Sequence, residues 1–159
     1  MKKILLSFIL AVVSVTAFAQ TGKSLYEKYS DLDGVEAVYI SPAMFKMIGR
    51  LSIDLKDEND VDISNLIRSI KGMYILNIPN SGPAAQLTGE VDRLIRGGKY
   101  ELLMEAKDSG ERMQMYTNGD DSFIRSFIML NTDNEETSFI CFDGEMLRNE
   151  FEEVVSRSM

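Results

Sequence analysis

From Tyr100 to Phe142 the sequence alternates in short runs broken by turn signals, and no other feature limits the possible fold as much. In the first run Tyr100, Leu102, Met104 and Ala106 alternate with Glu101, Leu103, Glu105 and Lys107. Asp108-Ser109-Gly110 then marks a turn, and residues 112–117 form a second run with Met113 and Met115 on one side. Asn118-Gly119-Asp120-Asp121 is a hairpin signal, because Asn and Gly tolerate the positive φ that tight hairpins need. Residues 122–130 and 137–142 complete the set, separated by the polar stretch 131–136. Period-two runs with short connections pair with their neighbours, so this half predicts a four-stranded antiparallel meander.

The first half mixes helical and strand periodicity. Leu25, Tyr29 and Leu32 recur at helical spacing, and 35–40 is β-branched and apolar, which reads as a strand. Ser41-Pro42 supplies an N-cap and a first-turn proline, after which Met44, Met47, Ile48 and Leu51 share one helical face. Ile63, Leu66, Ile67 and Ile70 mark another helix. The strand at 73–78 is apolar on both parities apart from Asn77, which places it centrally in a sheet. After Pro79-Asn80-Ser81-Gly82-Pro83 comes a helix with Ala84, Leu87, Val91, Leu94 and Ile95 inward, stopped by Gly97-Gly98. Asp143-Gly144 opens a closing helix with Leu147, Phe151, Val154 and Val155 inward. The expected class is α+β: a two-layer domain whose one mainly antiparallel sheet carries helices mostly on one face.

Residues 1–19 are set apart from that domain. Lys2 and Lys3 precede an apolar stretch at 4–15, and Ala17-Phe18-Ala19 is a small-x-small cleavage site. This order defines a secretory signal peptide, with Gln20 as the mature N-terminus and 20–159 as a single domain. The apolar stretch is shorter than the ~20 residues that span a bilayer, and no later segment is long and apolar enough. A lipoprotein needs Cys at the mature N-terminus, where Gln20 stands. The expectation is therefore a periplasmic protein without a lipid anchor.

Arg96-Gly97-Gly98-Lys99-Tyr100-Glu101-Leu102-Leu103-Met104 leads into the meander, and Ser138-Phe139-Ile140-Cys141-Phe142-Asp143-Gly144 leads into the last helix. This layout resembles the domain-of-unknown-function family 4252, small exported proteins of Bacteroidota, over most of the mature chain. The resemblance implies no activity, cofactor or catalytic residue. Many similar proteins look like lipoproteins, a feature that Gln20 does not support here.

Composition removes several chemistries. The chain has no histidine and one cysteine, Cys141. Histidine-dependent nucleophilic triads, histidine and thiolate zinc sites and paired-cysteine redox centres are all excluded. No phosphate-cradling glycine motif and no nucleophile elbow is present. Neither a catalytic residue set, a cofactor site nor a metal site is expected. Beyond the signal peptide, 15 basic residues face 25 acidic ones, a formal charge of −10, which argues against a nucleic-acid backbone as partner. Cys141 lies in an apolar run and reads as a small buried hydrophobe; a reactive thiol would need an exposed, electropositive setting. The acidic run at 54–62 reads as a solvated loop; calcium is the alternative, but the glycine and terminal Glu of an EF-hand loop are missing.

The remaining signal is surplus apolar surface in the third meander strand. Phe123, Phe127 and Met129 alternate with Ile124, Ile128 and Leu130, so one helical layer covers only one set. Arg125 shares parity with Phe123, Phe127 and Met129, and an Arg can lay its stem on apolar surface with its charge in water. Those four form the candidate interaction patch, with Ile124, Ile128 and Leu130 inside. Burial of both faces within the domain is the competing reading. The leading expectation is a non-enzymatic envelope interaction or accessory domain, with a protein partner or second copy on the meander sheet. The alternative is a carrier of a small apolar ligand or lipid, favoured by a pocket between sheet and helices rather than a flat face. A carboxylate-dependent hydrolase is a third class, requiring two converging acids in a cleft.

Overall fold

The computed structural model describes residues 21–51 and 64–158. The elements in chain order are α1 (Gly22–Tyr29), β1 (Glu36–Ile40), α2 (Pro42–Leu51), α3 (Ser64–Ser69), β2 (Ile70–Pro79) and α4 (Gly82–Gly97). The meander follows as β3 (Tyr100–Asp108), β4 (Glu111–Gly119), β5 (Phe123–Thr132) and β6 (Glu136–Leu147), and α5 (Arg148–Ser158) closes the chain. Together they make an α+β fold around a six-stranded antiparallel sheet, ordered β1-β2-β6-β5-β4-β3. The meander contributes four neighbouring strands. β6 carries it onto β2, which lies between β6 and β1. The acidic run at 54–62 and the signal segment lie outside the described residues.

One face of the sheet packs against α1 and α4. Leu76, Ile78, Ile128, Leu130, Phe139 and Cys141 meet Leu25 and Tyr29 of α1 and Ala84, Leu87, Val91 and Leu94 of α4. The helical spacing of those apolar residues is what lets each helix bury a single stripe. Helix α1 starts at once: Thr21 and Ser24 form a reciprocal capping box that satisfies free amide groups of its first turn. Gly22 sits in that turn, directly on the sheet. A Cβ there would lie 2.1 Å from Cys141 Sγ, so only glycine permits so close an approach.

Four elements differ from the sequence expectation. Helix α1 ends at Tyr29, so Leu32 lies beyond it and is exposed. Ile70 opens β2, paired with Gly144 of β6, instead of closing the helix face before it. Met44, Met47 and Ile48 of α2 are exposed, whereas Phe45 is buried. The helix turns its Gly49 side toward α3, where the Arg68 stem occupies the space a Cβ would need and its guanidinium donates to Gly49 O. The closing helix begins at Arg148 rather than near Gly144, and Leu147 is an exposed residue at the end of β6. Strand β6 runs through its acid-glycine pair because Gly144 and Glu145 form an irregularity in its pairing with β5. Gly144 is required there: a Cβ would meet Ser69 O at 2.7 Å.

Candidate functional site

Among the described residues the opposite face of the sheet is covered at one end only. There Phe151 of α5 and Leu66 of α3 pack with Ile70, Ile124, Phe127, Phe142 and Met146. Two connections from Arg148 tie the start of α5 to the β4–β5 hairpin, and a third bond lies within the helix. The Arg148 amide donates to Ser122 O at 3.0 Å, its Nε donates to Asp120 O at 2.8 Å, and its Nη1 donates to Glu152 Oε1 at 3.4 Å. The β4–β5 hairpin is itself fixed by Asp120, whose Oδ1 accepts from the Ser122 and Phe123 amides, both at 2.9 Å.

Between this helical cover and the sheet lies an apolar groove of about 480 Å³. Its floor is Met115, Phe127 and Phe142, its helical wall is Leu66, Phe151 and Val154, and its outer lip is Leu103 and Met104 of the edge strand. Ile70 and Met146 close the inner end. All ten lining side chains are apolar. Phe127 and Phe142 stack with centroids 4.7 Å apart and planes 14° apart, and Phe151 tilts onto Phe127 at 6.0 Å. Volume and lining both match small-molecule sites, which enclose roughly 300–1,000 Å³ and are mainly apolar and aromatic.

A second depression, of about 530 Å³, lies on the same face beyond the row Met115–Met129–Ile140. Asn77, Ser138 and Asn131 form its polar floor, and Lys107, Asp108 and Glu111 lie at its rim.

The four candidate patch residues are distributed over different surroundings. Phe127 is in the groove floor, and Met129 lines the second depression. Phe123 pairs with Leu147, and Arg125 turns to the hairpin, where Nη1 donates to Asp120 Oδ2 at 2.5 Å. The cause is a bulge at Arg125. Ser126 faces Asn118 and Ile124 faces Gly119, so Arg125 is an extra residue against β4. Alternation flips there. Ile124 therefore joins Phe127 in the groove cluster, while Ile128 and Leu130 are buried on the α1/α4 side.

Sequence reasoning missed one polar cluster on the α1/α4 face. Tyr100 Oη donates to Ser126 Oγ at 3.1 Å, Ser126 Oγ lies 3.8 Å from Cys141 Sγ, and Cys141 Sγ lies 3.9 Å from Asp143 Oδ1. Burial and the adjacent Asp143 push the thiol pKa up, the reverse of nucleophile activation. Burial also raises Asp143, and pushes Tyr100 up to about 12. Strand parity alone does not reveal this group, because Tyr100, Ser126 and Cys141 come from three different strands. Among the described residues no group of three Cys, Asp or Glu side chains is placed to hold a metal ion. Nor is any helix among them long and apolar enough to cross a membrane.

The fold thus defines a class: an α+β domain whose sheet packs two helices on one face and, among the described residues, leaves the other face partly open beside an apolar groove. The chain belongs to the domain-of-unknown-function family DUF4252, whose model matches residues 28–154. That span runs from the end of α1 to α5 and includes every strand. No curated protein and no solved structure matches the chain.

Proposed function

We propose that this domain is a non-enzymatic, exported binder of a small apolar ligand or lipid chain, held in the groove between the sheet and helices α3 and α5. The observation that carries this reading is the apolar side-chain lining of a pocket built between two layers. A flat apolar face would have favoured a protein partner instead. The reading assigns no catalysis to the domain, consistent with the lack of histidine in the chain. Export rests on the signal pattern at 1–19 and implies a periplasmic protein beginning at Gln20. Amino-terminal sequencing of the periplasmic fraction tests that location, and an intact Met1 in the membrane pellet contradicts it.

Organic extraction of natively purified protein, followed by mass spectrometry, tests the binding. An apolar species is expected to copurify with wild type and to be depleted in Met115→Trp, which fills the groove floor. Equal recovery from both contradicts the reading.

One observation favours a second reading. Ile75, Ile140 and Met129 are half-buried and continue to Val38, which is 48% exposed at the sheet edge. A protein partner or second copy lying on this open part of the face would cover them. Sedimentation and crosslinking at increasing concentration distinguish that arrangement from a monomeric binder.

A further inference from the structure

A row of thioethers crosses three neighbouring strands on the open face, from the lip and floor of the groove to the second depression. Met104 of β3 is directly opposite Met115 of β4, and Met115 is directly opposite Met129 of β5. Directly opposed residues on neighbouring antiparallel strands point to the same face, with Cβ atoms about 4.5–5.5 Å apart. All three side chains are half-buried, on the ridge between the groove and the second depression. Met113, two residues before Met115 on the same face, adds a fourth thioether beside them. Methionine has three rotatable bonds, which lets adjacent sulfurs lean toward a common point.

Thioether sulfur is a soft, uncharged donor that prefers soft monovalent ions to hard ones such as calcium or magnesium. The surrounding charge suits a cation. Asp108 and Glu111 stand at the rim of the adjoining depression against one cation, Lys107, and the domain carries an excess of carboxylates. We propose that Met104, Met115 and Met129 form a site for a soft monovalent metal ion of the Cu(I)/Ag(I) class. The ion sits on the outer side of the ridge, coordinated by sulfur from three adjacent strands. No change in oxidation state is involved; the site binds the ion and releases it.

The test uses silver ion in chloride-free buffer, with the methionine methyl groups of the protein observed by carbon-13 NMR. The methyl resonances of Met104, Met115 and Met129 are expected to shift together and saturate at a single equivalent, while those of the exposed Met44 and Met47 stay in place. Met129→Leu removes a thioether that lies outside the groove and keeps side-chain volume and apolarity, so the variant should fold and still bind an apolar probe. Its silver affinity should fall by at least about tenfold, which is 1.4 kcal/mol of binding. Circular dichroism confirms that the variant is folded. Silver binding unchanged in that variant, shifts spread evenly over all methionines, or binding lost in Cys141→Ala but retained in Met129→Leu would each overturn the site. Because Met129 lies outside the groove, loss of silver binding with retained probe binding separates this site from the apolar one.

Discussion

Phe127 and Phe142 stack across β5 and β6 at 4.7 Å between ring centroids, and Phe151 of the last helix closes on that pair. This stack makes the floor of the groove part of the fold. On sequence grounds alone Phe127 belongs to an exposed interaction patch, so that Phe127→Ser would weaken association and leave stability nearly unchanged. The contacts predict otherwise. Phe127→Ser should cost about 1–3 kcal/mol, less than the roughly 3–5 kcal/mol typical of a fully buried Phe truncation, because the ring is only half-buried. Ile128→Ser should cost several kcal/mol, since its side chain is fully buried and the new hydroxyl lacks a partner. Urea denaturation of both variants measures this; equal stability of Phe127→Ser and wild type would contradict the stack.

The contact of Gly22 with Cys141 predicts a coupled pair. Gly22→Ala brings a Cβ to 2.1 Å from Cys141 Sγ and 2.9 Å from its Cβ, so the helix must shift off the sheet. Removing the sulfur with Cys141→Ala relieves the shorter clash and leaves the longer one. A double-mutant cycle should therefore show Gly22→Ala costing less in the Cys141→Ala background, with a coupling of about 0.5–3 kcal/mol. Additive effects would mean that α1 does not rest on Cys141. In the same position the thiol is fully buried with a raised pKa, so a thiol reagent should label it only after unfolding.

Acid should weaken the hairpins before the core. Arg125 and two backbone amides hold Asp120 at about 2 against an ordinary 3.8, and Lys107 and Arg112 hold Glu105 at about 2 against 4.5. Both pKa values are depressed in the folded state. Their stabilisation is complete above about pH 4.5 and is lost as pH falls toward 2. Both groups are solvent-exposed, so salt should reduce the effect. Asp143 runs the other way: burial raises its pKa, so its contribution declines as pH rises above 3.8. Thermal melts between pH 2 and pH 5 should show a shallower acid slope in Asp120→Asn than in wild type. Asp143→Asn should instead raise the neutral-pH melting temperature. An unchanged acid slope in Asp120→Asn would remove the hairpin from this account.

The meander was legible because its alternation and its turns agree. Asn118-Gly119 and Asp108-Ser109-Gly110 fall at or beside the reversals, and three strands follow within a few residues of their expected limits, while β6 runs on from the expected end at Phe142 to Leu147. The two-sided apolarity of β5 was also legible, since Phe127 and Ile128 both need cover. The bulge at Arg125 was not. It depends on how Gly119 on one side and Gly144 on the other meet β5, and pairing register is not written in one strand's own pattern. The groove was hidden for a related reason. It needs Leu66, Met104, Phe127 and Phe151 in one place, and tertiary packing alone brings those distant segments together. The open thioether row likewise depends on the registers of β3, β4 and β5 together.

Titration with a neutral fluorescent naphthylamine probe tests the central claim most directly, because the probe reports an apolar site without needing a charge partner. Wild-type protein should give saturable fluorescence enhancement that a long-chain fatty alcohol displaces. Met115→Trp, folded by circular dichroism, should weaken probe binding by at least about tenfold, or 1.4 kcal/mol. Absence of a saturable signal in wild type, or equal binding by Met115→Trp, would show that the space beneath α5 is not a ligand site.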